Sequence, residues 1–152
     1  MYTKEQASAI RQKFWTKFGQ YMSPVPPAGF EKVNWVNYKT GIKGIFFKAD
    51  VDQNTAKVFI EINVKDMMLQ HQYFEIFDNF ANQFEKIVGE GWYWRKQYQK
   101  ETGETVSIIS IELKHVTVFD EQYWPSIISF FKQHLMALDR FWNDFKPAFE
   151  TI

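Results

Sequence analysis

From Trp124 to Phe149, large apolar residues recur at steps of four and three: Trp124, Ile128, Phe131, Leu135, Leu138, Trp142, Phe145 and Phe149. This is the seam of an α-helix of about seven turns. Such a seam must be buried, either on a partner helix in a coiled-coil manner or on a sheet of its own domain. We expect intramolecular packing, with any dimer using another surface. Trp124-Pro125 marks the first turn, because proline lacks the N–H that a helix interior uses. Pro147 should bend or stop the helix near its end.

The seam is one part of a wider surplus. The chain of 152 residues carries 16 Phe, 7 Tyr and 6 Trp, no Cys and three separated His. Aromatic side chains bury large areas, so a dense core is within reach, with rings left over for a surface. Zero Cys rules out disulfides, thiolate catalysis and Cys-based zinc sites. The length, with 45% hydrophobic and 24% charged residues, fits a single domain spanning 1–152. No apolar run approaches the roughly 20 residues that cross a bilayer, so no membrane partner is expected. The opening Met1-Tyr2-Thr3-Lys4-Glu5 does not read as a secretory leader, and the default expectation is a cytoplasmic protein. Net charge is zero, which argues against bulk attraction to nucleic acid. The charge is uneven, however: residues 1–43 hold seven Lys/Arg and two Asp/Glu, and residues 44–90 hold four and eight. The simpler account of the basic end is a solvated helix surface.

Local signals give an element order. Thr3 and Gln6 form a capping box ahead of Ala7, Ile10, Phe14, Phe18 and Tyr21, one face of a first helix. Ser23-Pro24-Val25-Pro26-Pro27-Ala28-Gly29 is a connector. Three strands are expected next: Val33–Lys39, Gly44–Val51 and a run with Val58, Ile60, Ile62 and Val64 on one side. The last gives the cleanest period-two signal in the chain. Asp66 caps a second helix with Tyr73, Phe77, Phe80, Phe84 and Ile87 inside and Gly89 at its end. Trp92–Gln99 and Thr105–His115 make a hairpin. The expectation is an α+β fold of order α-β-β-β-α-β-β-α, a five-stranded antiparallel sheet packed against helices in two layers.

Candidates for chemistry are few. Glu112 and Lys114 share a strand face at the Glu-x-Lys spacing of metal-dependent nucleases, where the carboxylate can hold Mg²⁺ and the ammonium can steady a hydroxide. A symmetric hairpin puts Glu90 opposite Leu113, near Glu112. A solvated face of alternating Glu and Lys explains the same residues. His71 and Glu75 share a helix face without further ligands, so neither a metal site nor a cofactor is expected. Trp92, Trp94, Lys96 and Tyr98 fall on one strand face by alternation, with Tyr93, Arg95 and Gln97 on the other. Aromatics beside cations serve single-stranded nucleic acid and protein hot spots alike, and they also serve as core. Trp35, Phe46 and Phe59 occupy faces opposite the aliphatic ones, which would leave an aromatic patch for a partner. Trp92, Trp94, Arg95, Trp35 and Phe59 are therefore the candidate binding residues. The leading expectation is a non-enzymatic protein-interaction module that self-associates as a homodimer. The alternatives are an accessory nucleic-acid-binding domain or a nuclease-related one.

Several pieces together resemble a bacterial family known as domain of unknown function number forty-two sixty-eight. They are Phe14-Trp15, the block Ile42-Lys43-Gly44-Ile45-Phe46-Phe47, Val58-Phe59-Ile60-Glu61-Ile62, the Phe-rich helix, Gly89-Glu90-Gly91-Trp92 and Tyr123-Trp124-Pro125. In that family the domain often follows a nuclease-like part. The resemblance thus implies a module used in partnership and assigns no catalytic residue. The element order also resembles the small homodimeric chaperones of bacterial secretion effectors, a likeness of fold alone.

Overall fold

The computed structural model describes residues 2–152. Helix α1 spans Lys4–Met22, strands β1 and β2 Ile45–Val51 and Thr55–Ile62, and helices α2 and α3 Met67–Asn79 and Ala81–Val88. Strands β3 and β4 span Tyr93–Gln99 and Thr105–Lys114. A short 3₁₀ turn, Glu121–Tyr123, leads into α4, Trp124–Phe145, and α5, Pro147–Glu150. The four strands form one antiparallel sheet in the order β1-β2-β4-β3. The class is α+β as expected, but with four strands, and with the one-turn α5 set aside the order is α-β-β-α-α-β-β-α.

The segment expected as a strand, Val33–Lys39, is irregular, with bends at Trp35, Val36 and Asn37. Asn34 explains this, because its Oδ1 accepts from the backbone N–H of both Val36 and Asn37 at 3.1 Å. A side chain that satisfies two consecutive donors turns the chain out of an extended ladder. Trp35 then drops into the core, 5% exposed, and its Nε1 donates to the Val25 carbonyl at 3.1 Å.

The single expected second helix is two. Phe80, at φ −99° and ψ 18°, donates its N–H to both the Ile76 and Phe77 carbonyls at 3.2 and 3.1 Å. That shared donor closes α2, and α3 starts afresh at Ala81. The caps are as anticipated. Thr3 and Gln6 complete their reciprocal box, and the Asp66 side chain accepts from Met68 and Leu69. Such caps each contribute about 1 kcal/mol.

The core lies between one side of the sheet and the helices. Ile45, Phe47 and Val51 of β1, Ala56, Val58, Ile60 and Ile62 of β2, and Ile109 of β4 all belong to it. Helix α4 supplies Trp124, Ile127, Phe131, Leu135, Leu138, Phe141 and Trp142. Its buried surface is wider than a two-residue seam, which is the mark of a helix crossing a sheet rather than pairing with one helix. Phe77 of α2 stacks on Phe141 and Trp142 at 6.0 and 6.3 Å and meets Phe149 at 4.6 Å. Phe14 and Phe18 of α1 meet Phe131 edge-on at 6.0 and 5.5 Å. The last helix therefore spends its seam inside the domain. It stops at Phe145, and Pro147 opens α5. Among the described residues, no helix is long and apolar enough to cross a membrane.

The long connector after α1 is held on α4 by Asp139, a buried acid. Its carboxylate accepts from the Tyr38 hydroxyl at 2.6 Å and from the Ala28 N–H at 2.7 Å. Burial, and then the bond to Asp139 and its charge, raise the Tyr38 hydroxyl pKa far above the usual tyrosine value. Trp142 Nε1 adds a bond to the Thr40 carbonyl at 2.7 Å.

Candidate functional site: the open face of the sheet

The helices pack on one side of the sheet, and on the other side its own long side chains already bury Val106, Ile108 and Ser110. Register and alternation decide what stands there. One row across the strands runs Phe46, Glu61, Ile108, Arg95, and the next runs Lys48, Phe59, Ser110, Tyr93. Asp50, Lys57 and Glu112 form a third, and Thr55 and Lys114 pair beyond it. Val106 and Tyr98 pair at the opposite end.

Tyr98 reaches this face through a bulge that alternation alone does not show. Arg95 pairs with Ile108 and Tyr98 with Val106, so Lys96 and Gln97 together stand opposite Ser107. The extra residue swings Tyr98 to the side of Tyr93 and Arg95. Ser107 secures the turn, because its hydroxyl donates to the Lys96 carbonyl at 2.6 Å.

The expected grouping of Trp92, Trp94 and Tyr98 is therefore broken. Both tryptophans face the helices. Trp94 meets Phe74 and Phe84 edge-on at 5.9 and 5.3 Å. Trp92 meets Phe84 at 5.3 Å, and its Nε1 donates to the Val88 carbonyl at 3.3 Å. Trp35 is in the main core and also leaves the set. Of the five candidate binding residues, Arg95 and Phe59 stand on the open face. Sequence reasoning missed the importance there of Tyr93, Tyr98, Lys57 and Lys48. The signal that could have found them is the alternation of Lys48, Lys57 and Arg95 with rings two residues along the same strands.

Each aromatic ring on this face has a cation over it. Lys48 Nζ lies 4.9 Å from the Phe46 ring centre and Lys57 Nζ 4.5 Å from that of Phe59. The Arg95 guanidinium lies 4.8 Å from the Tyr93 ring and 4.5 Å from that of Tyr98. Contacts of this kind contribute roughly 0.5–1 kcal/mol at exposed sites. Beneath them, Phe59, Val106 and Ile108 form a small second apolar cluster with Tyr98 on its flank. Phe59 is only 9% exposed, so the cationic stems and Tyr98 already shelter it.

Glu61 is the buried charge of the face. It is 4% exposed and takes Lys48 at 3.6 Å and Lys100 at 3.5 Å. Two cations on one carboxylate leave it fully compensated. At the hairpin end, Glu104 accepts from Asn63 at 3.1 Å, and that bond, with Thr102 and Lys100, holds its carboxyl below the usual range.

Glu112 and Lys114 line a shallow concavity of about 370 Å³ with Tyr93, Arg95 and Ser110. Glu90 lines a different one, beside Phe84, Trp92 and Trp94. Among the described residues, no group of three His, Asp or Glu is placed to hold a metal ion. His71 stands within 3.4 Å of the Gln97 amide, while Glu75 pairs with Lys96 at 2.8 Å. His134 is packed against Phe130 and Trp92, and its Nδ1 lies 2.8 Å from the Phe130 carbonyl.

Fold and face together describe an α+β module with one side of its sheet presented to its surroundings. The chain belongs to the family described as Domain of unknown function (DUF4268), whose sequence model matches residues 10–146. No curated protein and no solved structure matches the chain.

Proposed function

We propose that the domain is a non-enzymatic interaction module and that the open sheet face receives a protein partner. The observation that carries this reading is the cation–aromatic array on a sheet face that no helix covers. Lysine and arginine side chains fixed over rings have already lost much of their rotamer freedom, so their pairing with a partner costs less ordering. On the helix side the cation–ring contacts, Arg11 on Phe119, Lys13 and Lys17 on Trp124 and Lys132 on Tyr21, all join α1 to α4 or to the segment before it, whereas those of the sheet face lie side by side on one surface. Self-association into a homodimer is proposed through the same open face. Burial of Trp35 removes one of its motives, and the small, sheltered Phe59 cluster does not itself demand a second copy.

The rival roles draw less support. Lys13 and Lys17 of α1 lie near Glu121, at 3.3 and 3.9 Å, and over Trp124. The basic helix and the tryptophan hairpin thus serve internal contacts rather than one continuous nucleic-acid surface. Glu112 and Lys114 remain together without Glu90 in their concavity.

Photo-crosslinking separates these readings. A crosslinking residue placed at Phe46 or Tyr93 should trap a protein in native extracts, or a second copy at micromolar concentration. The same group at Gln12, on the exposed side of α1, should not. Adducts from α1 alone would overturn the assignment of the face.

A further inference from the structure

Arg95 is the one cation on the open face with a buried donor left over. Its Nε–H is enclosed and has no acceptor. None of the ion pairs among the described residues includes its guanidinium. Its neighbours are committed elsewhere: Lys48 and Lys100 share Glu61, and Lys96 pairs with Glu75. Glu61 stands in the same row as Arg95, but Ile108 separates them and Glu61 is taken by Lys48 and Lys100. A guanidinium between two tyrosine rings is held as a fixed fork, and with its Nε–H enclosed an incoming acceptor meets the Nη groups first.

The surroundings select the kind of acceptor. The fork matches a planar, two-oxygen group. Arg95 and Lys114 with Glu112 give the adjoining concavity a net charge of one positive, which suits a single anion. A nucleic-acid strand would bring a row of phosphates past Glu112. It would also need bare rings for its bases, whereas each ring here already lies under a cation. A neutral chain gives such a polyanion no long-range attraction.

We propose that Arg95, clamped between Tyr93 and Tyr98, is the docking point for an Asp or Glu carboxylate in an acidic segment of a protein partner. This rests on the open face being the interaction surface. Ser110, at the base of the concavity, and Lys114, at its rim, flank the incoming group.

The test uses the full chain, a fluorescent oligoglutamate peptide and a single-stranded oligothymidylate of similar length, followed by anisotropy. The peptide should bind, with an affinity that declines as salt is added. Arg95→Lys keeps the charge and loses the fork, and should weaken binding about tenfold. Lys132→Ala, which removes a distant cation, should leave it unchanged. Thermal midpoints matched to the wild type certify each variant's fold. On the unmodified protein, the Arg95 Nε–H resonance should shift as peptide is added. Wild-type affinity in Arg95→Lys, or an unmoved Nε–H signal, overturns the docking point. Binding of oligothymidylate in place of the peptide overturns the carboxylate. If neither probe binds while crosslinks at Phe46 and Tyr93 still form, this proposal falls and the open-face reading stands. If the crosslinks fail as well, both fall.

Discussion

Phe131→Ala tests whether α4 holds the domain together from within. Phe131 is fully buried at the junction of α1 and α4. It stacks on Trp15 at 5.6 Å and meets Phe14 and Phe18 edge-on. Truncating a buried phenylalanine costs about 3–5 kcal/mol, part of it from the cavity left behind. The ring pairs argue for the upper half of that range, because each adds about 0.5–1.5 kcal/mol beyond area alone. Against a total stability of roughly 5–15 kcal/mol, a loss of about 4 is a large fraction. For a chain of 152 residues, unfolding entropy near 2.1 cal/mol/K per residue converts that loss to a fall in Tm of roughly 12 °C. Calorimetry and urea unfolding should both report it, while Lys132→Ala should stay within about 0.5 kcal/mol of the wild type. A Phe131→Ala protein that melts normally but loses an oligomer in sedimentation would refute internal packing. The seam would then be an intermolecular surface.

Three further perturbations probe the core and its supports. Burial holds the His134 pKa below its ordinary 6.5, which outweighs the bond to Phe130. The unfolded chain therefore takes up the proton first, so stability should be full above about pH 6.5 and decline as pH falls toward the lower folded value. His134→Gln should flatten that part of the urea-midpoint profile, and an unchanged profile would count against the assignment. Asp139→Ala removes the acceptor for both Tyr38 and Ala28 and should cost roughly 1–3 kcal/mol per orphaned donor. In a double-mutant cycle with Tyr38→Phe the two losses should be non-additive, and simple additivity would deny the contact. Gly44 has φ +89°, and an added Cβ would collide with the Val64 side chain and crowd the Asn63 carbonyl at 3.1 Å. Gly44→Ala should thus destabilise by more than about 1 kcal/mol, measured by urea unfolding.

Periodic elements backed by tertiary burial were legible in the residues. Val58, Ile60 and Ile62 alternate because one side of β2 is core, and the apolar steps along α4 follow the face it buries. The errors arose where one side chain or one backbone bond overrides a pattern. Val33–Lys39 has strand composition, but Asn34 bends it by bonding its own backbone. The stripe from Tyr73 to Ile87 runs on across the Phe80 break, since a short interruption need not disturb spacings of three and four. Phe80 packs on Phe145 at 4.7 Å and leaves no gap in the stripe. The open face was harder to read. Its composition depends on Tyr98, and no glycine or proline announces the bulge that moves it. The Asp139 clamp joins residues 101 and 111 positions apart, which no local pattern can supply.

The bulge in β3 also fixes how the site depends on chain length. Deleting Lys96 or Gln97 would remove the extra residue, and plain alternation would then still put Tyr98 two places beyond Arg95, opposite Val106 and on the same side. What would part the two is closure of the bulge at unchanged length, since three regular steps turn Tyr98 to the tryptophan side. Among homologous chains, an even step between the arginine and the second tyrosine gives the clamp from an ordinary strand, and an odd step gives it only where the bulge is kept. The parity of that spacing sorts clamped from unclamped forms before any side chain is compared.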